Sequence, residues 1–327
     1  MNTSRLNEIV QNFSSKKILV IGDIMLDSYI WGNTSRISPE APVPVIKVDR
    51  SEFTLGGAAN VALNLKKLSS SPNIVGVVGD DKDGGTLKEL LIRMGIESNG
   101  IIQDNSRNTT VKTRVIAQNQ QVVRVDHEVE DSISDSIQNE LMEKLKQYLP
   151  KSNGVVLSDY NKGVFTKEII ENILAEVKKY NLPVYVDPKK DNFTHFHNIR
   201  LFKPNLSEFI DGIKLYEDDN FDDHCVQFKN KINAEYLLIT KGEMGMSLFS
   251  DHSHQIIPTK AMMVHDVSGA GDTVISTFAL CDLSDADSLE AATIANYAAG
   301  RVCEEVGVVP ISKEMLLDTI GFHNQDT

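Results

Sequence analysis

The segment Asp266-Val267-Ser268-Gly269-Ala270-Gly271-Asp272 contains the most distinctive chemistry of this 327-residue sequence. Its small residues let the backbone approach a ligand closely, and the apolar run that follows is typical of a helix. The amides of 269–271 would then point out of a helix N-terminus, where the helix dipole favours an anion. Asp272 could accept a proton from a hydroxyl while these amides stabilise a transferring phosphoryl group. A tight turn with Asp272 as a helix cap is equally compatible with the residues.

A second segment, Gly56-Gly57-Ala58-Ala59-Asn60, precedes a helix-like stretch that continues to Leu68. A glycine pair at a helix start lets backbone amides meet a polyol closely, and Asn60 offers a donor and an acceptor to sugar hydroxyls. A plain helix start with small residues for close packing is the alternative. No Gly-Lys-Ser/Thr follows the glycines of 269–271, which excludes a P-loop, and the first strand ends without the GxGxxG pattern of dinucleotide-binding proteins.

Short apolar strands alternate with amphipathic helices along most of the chain. This alternation predicts a doubly wound α/β fold with a mainly parallel sheet that is covered on both faces. The predicted strands are 18–21, 74–78, 155–157, 184–186 and 236–239, and helical spacing predicts helices at 6–13, 137–149 and 167–180.

Residues 31–54 and 107–126 interrupt this alternation. They are proline-rich or alternate between apolar and polar residues, which is typical of β structure without crossover helices. We interpret them as a small separate β-sheet that acts as a lid on a single domain spanning 1–327. A pair of edge strands on the main sheet is the alternative.

The composition is that of an ordinary globular protein with an acidic surplus. Asp and Glu number 46 and Lys and Arg 33, a net charge of −13, which argues against a nucleic-acid binder. Cys225, Cys281 and Cys303 are scattered and odd in number, which indicates a reducing compartment. The sequence also has no signal-peptide-like segment and no apolar run that could span a membrane. We therefore expect a cytoplasmic protein that binds neither nucleic acid nor membranes.

The two glycine-containing segments, in this order and about 200 residues apart, resemble the N- and C-terminal signatures of the ribokinase-like (PfkB) carbohydrate kinases. The resemblance spans nearly the whole chain. It implies a doubly wound core, a small β lid, and ATP-dependent phosphorylation of a sugar hydroxyl with Mg²⁺. It also implies that Asp272 is the catalytic base and that the amides of Gly269, Ala270 and Gly271 form the anion hole.

The same resemblance assigns roles to further residues. Asp27, Gly56, Gly57 and Asn60 would bind the sugar. Lys203-Pro204-Asn205-Leu206-Ser207-Glu208 is similar to the family's Asn-x-x-Glu motif, in which Asn205 and Glu208 would organise phosphate oxygens and Mg²⁺, the metal through water. The segments around Thr240 and Gly242 and around Asn296 resemble those that lie beside the nucleotide.

Several segments resemble more narrowly the kinase domain of bacterial ADP-heptose synthesis enzymes: 22–27, 36–45, 109–114, 158–163 and 186–189. That resemblance implies phosphorylation of D-glycero-β-D-manno-heptose 7-phosphate at the anomeric hydroxyl, for ADP-heptose and lipopolysaccharide synthesis. In such enzymes the kinase is often fused to an adenylyltransferase. No His-x-Gly-His motif occurs before Thr327, so we expect that step on a separate protein. Another sugar kinase and a non-catalytic sugar-phosphate-binding regulator remain alternatives.

A substrate that already carries a phosphate needs cations. The candidates are Arg36, Lys112, Arg114, Arg124, Lys162 and Lys189, with Arg suited to bidentate contacts and Lys to a point charge. Each could equally be a solvated strand residue. Lid strands pair between subunits in related enzymes, so the resemblance also implies a homodimer.

Overall fold

The structure is a computed structural model that describes residues 3–118, 120–215, 220–251, 253–259, 264–305 and 307–323. The strands are β1 (Lys17–Gly22), β2 (Ile24–Ile37), β3 (Pro44–Gly57), β4 (Ser71–Gly79), β5 (Ile101–Asp104), β6 (Thr110–Ala117), β7 (Gln120–His127), β8 (Gly154–Ser158), β9 (Val184–Asp187), β10 (Ile199–Phe202), β11 (Ala234–Thr240), β12 (Met246–Phe249) and β13 (His254–Ile257). The α-helices are α1 (Thr3–Asn12), α2 (Ala58–Lys67), α3 (Lys82–Arg93), α4 (Asp135–Tyr148), α5 (Lys167–Lys178), α6 (Leu206–Ile213), α7 (Phe221–Lys231), α8 (Ala270–Leu283), α9 (Ser288–Cys303) and α10 (Lys313–His323).

Within the described ranges, nine strands form the main sheet in the order β13-β12-β11-β10-β9-β8-β1-β4-β5. Neighbours pair in parallel from β5 to β11, and β12 and β13 are added antiparallel at the edge. Residues 18–21 of β1 are fully buried, as expected for a central strand that is covered on both faces. The predicted doubly wound α/β architecture is therefore confirmed.

The helices divide between the two faces of this sheet. One hydrophobic core includes side chains of α1, α2, α3, α8, α9 and α10, and the other includes side chains of α4 to α7. The amphipathic patterns that predicted helices at 6–13, 137–149 and 167–180 correspond to α1, α4 and α5. No helix in the described part of the chain is long and apolar enough to span a bilayer.

A second, four-stranded sheet has the order β3-β2-β6-β7. β2 pairs with β3 antiparallel and with β6 in parallel, and β6 pairs with β7 antiparallel. The predicted separate small sheet is thus confirmed, and the alternative of edge strands on the main sheet is wrong. Its strands extend beyond the predicted ranges. β2 already begins at Ile24, one residue after Asp23, which follows β1, and β3 continues to Gly57.

Polar residues collect where the main sheet meets the second sheet. Carboxyl ends of parallel strands lie at one edge of a sheet, and ligands bind there in open α/β folds. Here that edge carries Asp23 after β1, Asp159 after β8, Asp187 at the end of β9 and Lys203 after β10. All four are buried, with relative exposures of 1–5%. This edge is where the candidate site is built.

Candidate active site

Asp272 lies in the first turn of α8 and is 3% exposed. Its two carboxylate oxygens accept hydrogen bonds from two different elements: the Tyr160 hydroxyl donates to Oδ1 at 2.6 Å, and Asn60 Nδ2 donates to Oδ2 at 2.7 Å. Burial raises the pKa of Asp272 to about 7, and the charge of Asp187 acts in the same direction, whereas the two hydrogen bonds and Lys203 oppose the rise. A carboxylate with this pKa is suited to take up a proton near neutral pH.

Two glycines with positive φ start the helices that contribute these groups. Gly57 (φ 57°) precedes α2, and a Cβ there would lie 2.5 Å from the carbonyl oxygen of Asp23, which accepts a hydrogen bond from the Ala58 amide at 2.9 Å. Gly269 (φ 79°) precedes α8, and a Cβ there would lie 2.9 Å from Asn60 Nδ2. Glycine is therefore required at both turns by conformation and by space.

The predicted anion hole at the start of α8 is only partly open. The Ala270 amide donates to the Val267 carbonyl at 3.2 Å. Because that amide is occupied, an anion at this helix start would meet Gly271 first, and Ala270 only after the turn at 267–270 rearranges. The helix dipole still places positive potential here.

A cavity of about 610 Å³ lies beside Asp272, and we call it the large cleft. It is bounded by the carboxyl ends of β9, β10 and β11, the start of α8, and α9. The structure brings together in its walls the sequence-predicted residues Lys189, Asn205, Glu208, Thr240, Gly242, Gly269, Ala270, Gly271, Asp272 and Asn296.

Asn205 and Glu208 form a capping box at the start of α6. Asn205 Oδ1 accepts from the Glu208 amide at 2.8 Å, Glu208 Oε2 accepts from the Asn205 amide at 2.8 Å, and Glu208 Oε1 forms an ion pair with Lys189. The described residues contain no group of three or more His, Cys, Asp or Glu side chains that could hold a metal ion. Mg²⁺ prefers oxygen ligands and usually keeps several waters, so the Glu208 carboxylate would suit contact with such an ion through water.

Lys203 and Asp187 form a buried ion pair beneath Gly271, with Nζ 3.0 Å from Oδ1. A Cβ at Gly271 would lie 3.4 Å from Lys203 Nζ. Burial raises the pKa of Asp187, and the neighbouring cations Lys203 and Lys189 counter that rise. The pair thus places an ammonium group next to the backbone that an incoming phosphate would contact.

A second cavity, of about 180 Å³, lies on the other side of Asp272, and we call it the small pocket. The second sheet provides one of its walls and the starts of α2 and α8 another. It brings together the sequence-predicted residues Asp27, Gly57, Asn60, Lys112 and Arg114. Gly56 lies behind Asp27, since a Cβ at Gly56 would be 2.5 Å from Asp27 Oδ2. Asp272, Gly269 and Tyr160 line both cavities, so Asp272 stands at their boundary.

The candidate cations of the small pocket are all paired with carboxylates. Arg114 pairs with Asp27, and Lys112 Nζ lies 3.2 Å from Asp126 and 2.9 Å from Glu128. Arg124 also lines the pocket and bonds Asp126, and nearby Lys162 pairs with Glu128 and Glu130. An anionic substrate would have to compete with these carboxylates.

Two predicted cations lie elsewhere. Arg36 is exposed and pairs in register with Val45 near the far end of β2, nine residues beyond Asp27. At about 3.3 Å per residue this is about 30 Å from the pocket. Lys189 lines the large cleft instead of the small pocket. Within one subunit, neither is positioned with Lys112 and Arg114.

Tyr160 and Lys203 were not assigned roles from the sequence, although both lie inside segments with recognisable motifs. Tyr160 follows β8 within Ser158–Gly163, and Lys203 precedes Asn205 by two residues. Their signal was their location directly after apolar strands, where side chains reach the carboxyl edge of a parallel sheet. Which partners they meet depends on the order of the strands in the sheet.

The model of the pfkB family carbohydrate kinases matches residues 15–314. The chain belongs to the PfkB family. Membership makes it an ATP-dependent carbohydrate kinase.

Curated relatives match most or all of the chain. It is 36% identical over 331 residues to the bifunctional protein HldE of Trichlorobacter lovleyi, covering 100% of this chain and 67% of the relative. It is 38% identical over 293 residues to the bifunctional protein HldE of Campylobacter curvus, covering 89% of this chain and 62% of the relative. The chain thus spans about two thirds of the length of these relatives.

Solved structures of a phosphofructokinase and a ribokinase share the fold. Phosphofructokinase-2 from Escherichia coli superposes with a TM-score of 0.78 at 17% identity, covering 94% of this chain and 99% of that one. Arabidopsis thaliana ribokinase, complexed with ribose and ATP, superposes with a TM-score of 0.70 at 20% identity, covering 93% and 98%. The mostly parallel sheet with a smaller separate sheet is therefore a ribokinase-like fold.

Proposed function

We propose that this protein transfers the γ-phosphoryl group of Mg·ATP to the anomeric hydroxyl of D-glycero-β-D-manno-heptose 7-phosphate, giving the 1,7-bisphosphate for ADP-heptose synthesis. Support comes from the motifs that resemble the kinase domain of ADP-heptose synthesis enzymes and from the HldE relatives, which match 100% and 89% of the chain. An adenylyltransferase activity would then act later in the same pathway.

The arrangement of the small pocket is the observation on which this proposal rests. Asp272 closes one end of the pocket, and Lys112, Arg114 and Arg124 line it from the second sheet. A sugar with its reacting hydroxyl at Asp272 would therefore direct an anionic substituent towards these cations. These cations are held by Asp27, Asp126 and Glu128, so the phosphate of the substrate would have to replace those carboxylates as their partner.

In the proposed reaction, Asp272 accepts the proton of the anomeric hydroxyl. The sugar oxygen then attacks the γ-phosphorus in line, and the bond from that phosphorus to the β–γ bridging oxygen of ATP breaks. The amides at the start of α8 and the ammonium group of Lys203 would stabilise the negative charge on the transferring group. Mg²⁺ bound with the nucleotide would neutralise charge on the phosphates, and Glu208 and Asn205 are the residues suited to orient its waters.

We further propose that the second sheet acts as a lid that excludes water from the transferring phosphoryl group.

The same sheet supports the proposal of a homodimer. Several apolar side chains on it are exposed, including Ile37, Val48, Val123 and Val125. Its outer strands β3 and β7 have open edges, and such edges are usually covered by pairing or by another subunit.

In line with the expectation from the sequence, we also propose that the protein works in the cytoplasm.

The test measures ADP release by the purified protein with Mg·ATP and a panel of sugars. The panel holds heptose 7-phosphate, fructose 1-phosphate, fructose 6-phosphate, a nucleoside and the unphosphorylated heptose, and Asp272→Asn is the control. Turnover with heptose 7-phosphate that Asp272→Asn abolishes supports the proposal. Turnover only with another sugar would show that heptose 7-phosphate is not the substrate. Tight sugar binding without turnover would identify a non-catalytic regulator.

A further inference from the structure

We propose that Tyr160 is a positioning residue that fixes the carboxylate of Asp272 for proton uptake, and that Asp23 holds the turn that carries Tyr160. The inference rests on the proposed function, in which Asp272 is the base. It concerns the segment Ser158–Gly163, which the sequence singled out and to which the reaction as derived above gives no role.

The first argument is the contact itself. The Tyr160 hydroxyl donates to Asp272 Oδ1 at 2.6 Å, the length of a strong hydrogen bond to a charged acceptor. Burial raises the pKa of Tyr160 well above its ordinary value, and the nearby charge of Asp272 raises it further. The hydroxyl therefore stays protonated at neutral pH and donates to the ionised carboxylate of Asp272. It leaves the second lone pair of Oδ1 for a substrate hydroxyl.

The second argument is the rigidity of the turn. Asp23 Oδ2 accepts from the backbone amides of Tyr160 at 2.7 Å and of Lys162 at 3.1 Å, and Oδ1 accepts from the Val164 amide at 3.2 Å. Asn161 has a left-handed backbone (φ 54°), and its amide donates to Asp159 Oδ1 at 2.8 Å. A buried carboxylate that accepts three amides fixes the backbone on which the phenol ring is mounted.

Asp23 also links the second donor to Asp272. Its carbonyl oxygen accepts from the Ala58 amide, which starts α2 two residues before Asn60. Asp23 therefore holds the segments that carry both donors to Asp272. Its side chain binds the turn with Tyr160, and its backbone carbonyl binds the start of the helix with Asn60. The Tyr160 hydroxyl and the Asn60 amide, which orient the two oxygens of Asp272, are thus held relative to each other by Asp23.

Other groups around Asp272 do not orient it in this way. Asp187 and Lys203 affect its pKa in opposite directions, and Asp272 in turn raises the pKa of Lys189. These groups act on Asp272 through charge, whereas Tyr160 and Asn60 hold its oxygens by hydrogen bonds. The charge of Asp27 raises the pKa of Tyr160. Removing the Tyr160 hydroxyl should therefore change both the position of the base and its proton affinity.

The test compares Tyr160→Phe with Tyr185→Phe. Tyr185 is a matched control because it is also a buried tyrosine whose hydroxyl donates to a carboxylate, Asp282 Oδ2 at 2.7 Å, and because neither cavity beside Asp272 includes it. The readout is the pH profile of kcat/KM for the sugar that turns over. We expect Tyr160→Phe to move the acid limb up by about one pH unit, lowering the rate at pH 7 about fivefold, with recovery at pH 9.

Tyr185→Phe should leave the profile unchanged. If Tyr160→Phe and wild type have superimposable profiles while Asp272→Asn is inactive, the positioning role is wrong and the proposed function stands. If Asp272→Asn keeps the wild-type rate, the base assignment of the proposed function is wrong.

A second measurement does not require the Phe variant to fold. 3-Fluorotyrosine placed at position 160 should give a ¹⁹F resonance whose shift follows a titration near pH 7, and Asp272→Asn should abolish that titration. A pH-independent resonance in the unmodified background would overturn the inference.

Discussion

Asn60 Nδ2 lies 2.7 Å from Asp272 Oδ2, a buried hydrogen bond between residues that are 212 positions apart in the sequence. The bond joins the first turn of α2 to the first turn of α8, so the two glycine-containing segments meet directly at the candidate base. Gly269 makes the approach possible, because a side chain there would collide with Asn60. The Asp272 carboxylate that accepts this bond lies at the boundary between the large cleft and the small pocket.

The first prediction concerns the pH dependence of turnover. Burial raises the pKa of Asp272 to about 7, so below that pH the carboxyl is protonated and cannot accept the substrate proton. We expect kcat and kcat/KM to fall about tenfold per pH unit below pH 7 and to be level just above it. Steady-state ADP release between pH 5 and 9 with saturating Mg·ATP measures this. An acid limb near pH 4, typical of an ordinary aspartate, would contradict the assignment.

The second prediction separates stability from activity at Gly271. Its φ is not positive, and an added Cβ would meet only Lys203 Nζ at 3.4 Å and Asp187 Oδ2 at 3.7 Å. Gly271→Ala should therefore fold with wild-type stability or better, by up to about 1 kcal/mol. Its methyl group would fill the space next to the amide that meets the phosphoryl group, so kcat should fall at least about tenfold.

The control for that variant is Gly85→Ala. Gly85 lies in α3, and a Cβ there would have no neighbour within 4 Å. Gly85→Ala should gain a similar stability, measured by urea unfolding, and keep the wild-type kcat. A Gly271→Ala enzyme with wild-type kcat would show that the start of α8 does not bind the transferring group.

Much of the fold could be predicted from the sequence because its signals are local. Residues 18–21 and 155–157 form buried strands, and such apolar runs leave few other solutions in a chain with alternating helices. The glycine-containing turns before α2 and α8 were likewise readable, since glycine adopts the positive φ found at Gly57 and Gly269 more readily than any other residue.

The parts of the site that could not be predicted depend on strand order. Lys203 meets Asp187 because β10 lies beside β9, and the Tyr160 amide meets Asp23 because β8 lies beside β1. The cation Lys189 was grouped with the sugar site, yet its strand ends at the large cleft. Whether an amide such as that of Ala270 is already occupied is also not visible in a sequence.

The third prediction distinguishes the candidate cations by which KM each one changes. Lys112 lines the small pocket, so Lys112→Met should raise the KM for the sugar phosphate about 10- to 100-fold and leave the KM for Mg·ATP unchanged. Lys189 lines the large cleft and pairs with Glu208, so Lys189→Met should raise the KM for Mg·ATP. Arg36→Met is the control that should change neither value if the site is built within one subunit.

An Arg36→Met enzyme with a raised sugar-phosphate KM would contradict that last expectation. It would indicate that a neighbouring subunit brings its β2 to the site, which sedimentation of the same samples would detect as an oligomer. An unchanged sugar-phosphate KM in the Lys112→Met enzyme would contradict the proposed contact between Lys112 and the phosphate of the substrate.

The fourth prediction concerns stability and pH. Burial raises the pKa of both Asp159 and Asp272 to about 7, and it also raises the pKa of Asp23 and Asp187. Because the native state then holds these protons more tightly than the unfolded chain does, the free energy of unfolding should decrease as the pH rises from about 4 to 7. Carboxyls with lowered pKa, such as Asp81, change stability only below about pH 4 and do not offset this trend.

Urea unfolding at pH 5, 6, 7 and 8 measures this dependence, which should amount to a few kcal/mol across the range. Asp272→Asn provides the internal comparison, since it removes one of the titrating carboxyls and should flatten the curve while the contributions of Asp159 and Asp23 remain. A free energy of unfolding that rises between pH 5 and 8 would mean that these carboxyls are ionised throughout. In that case the carboxyl edge of the main sheet, Asp272 included, would not be the desolvated site that the proposed proton transfer requires.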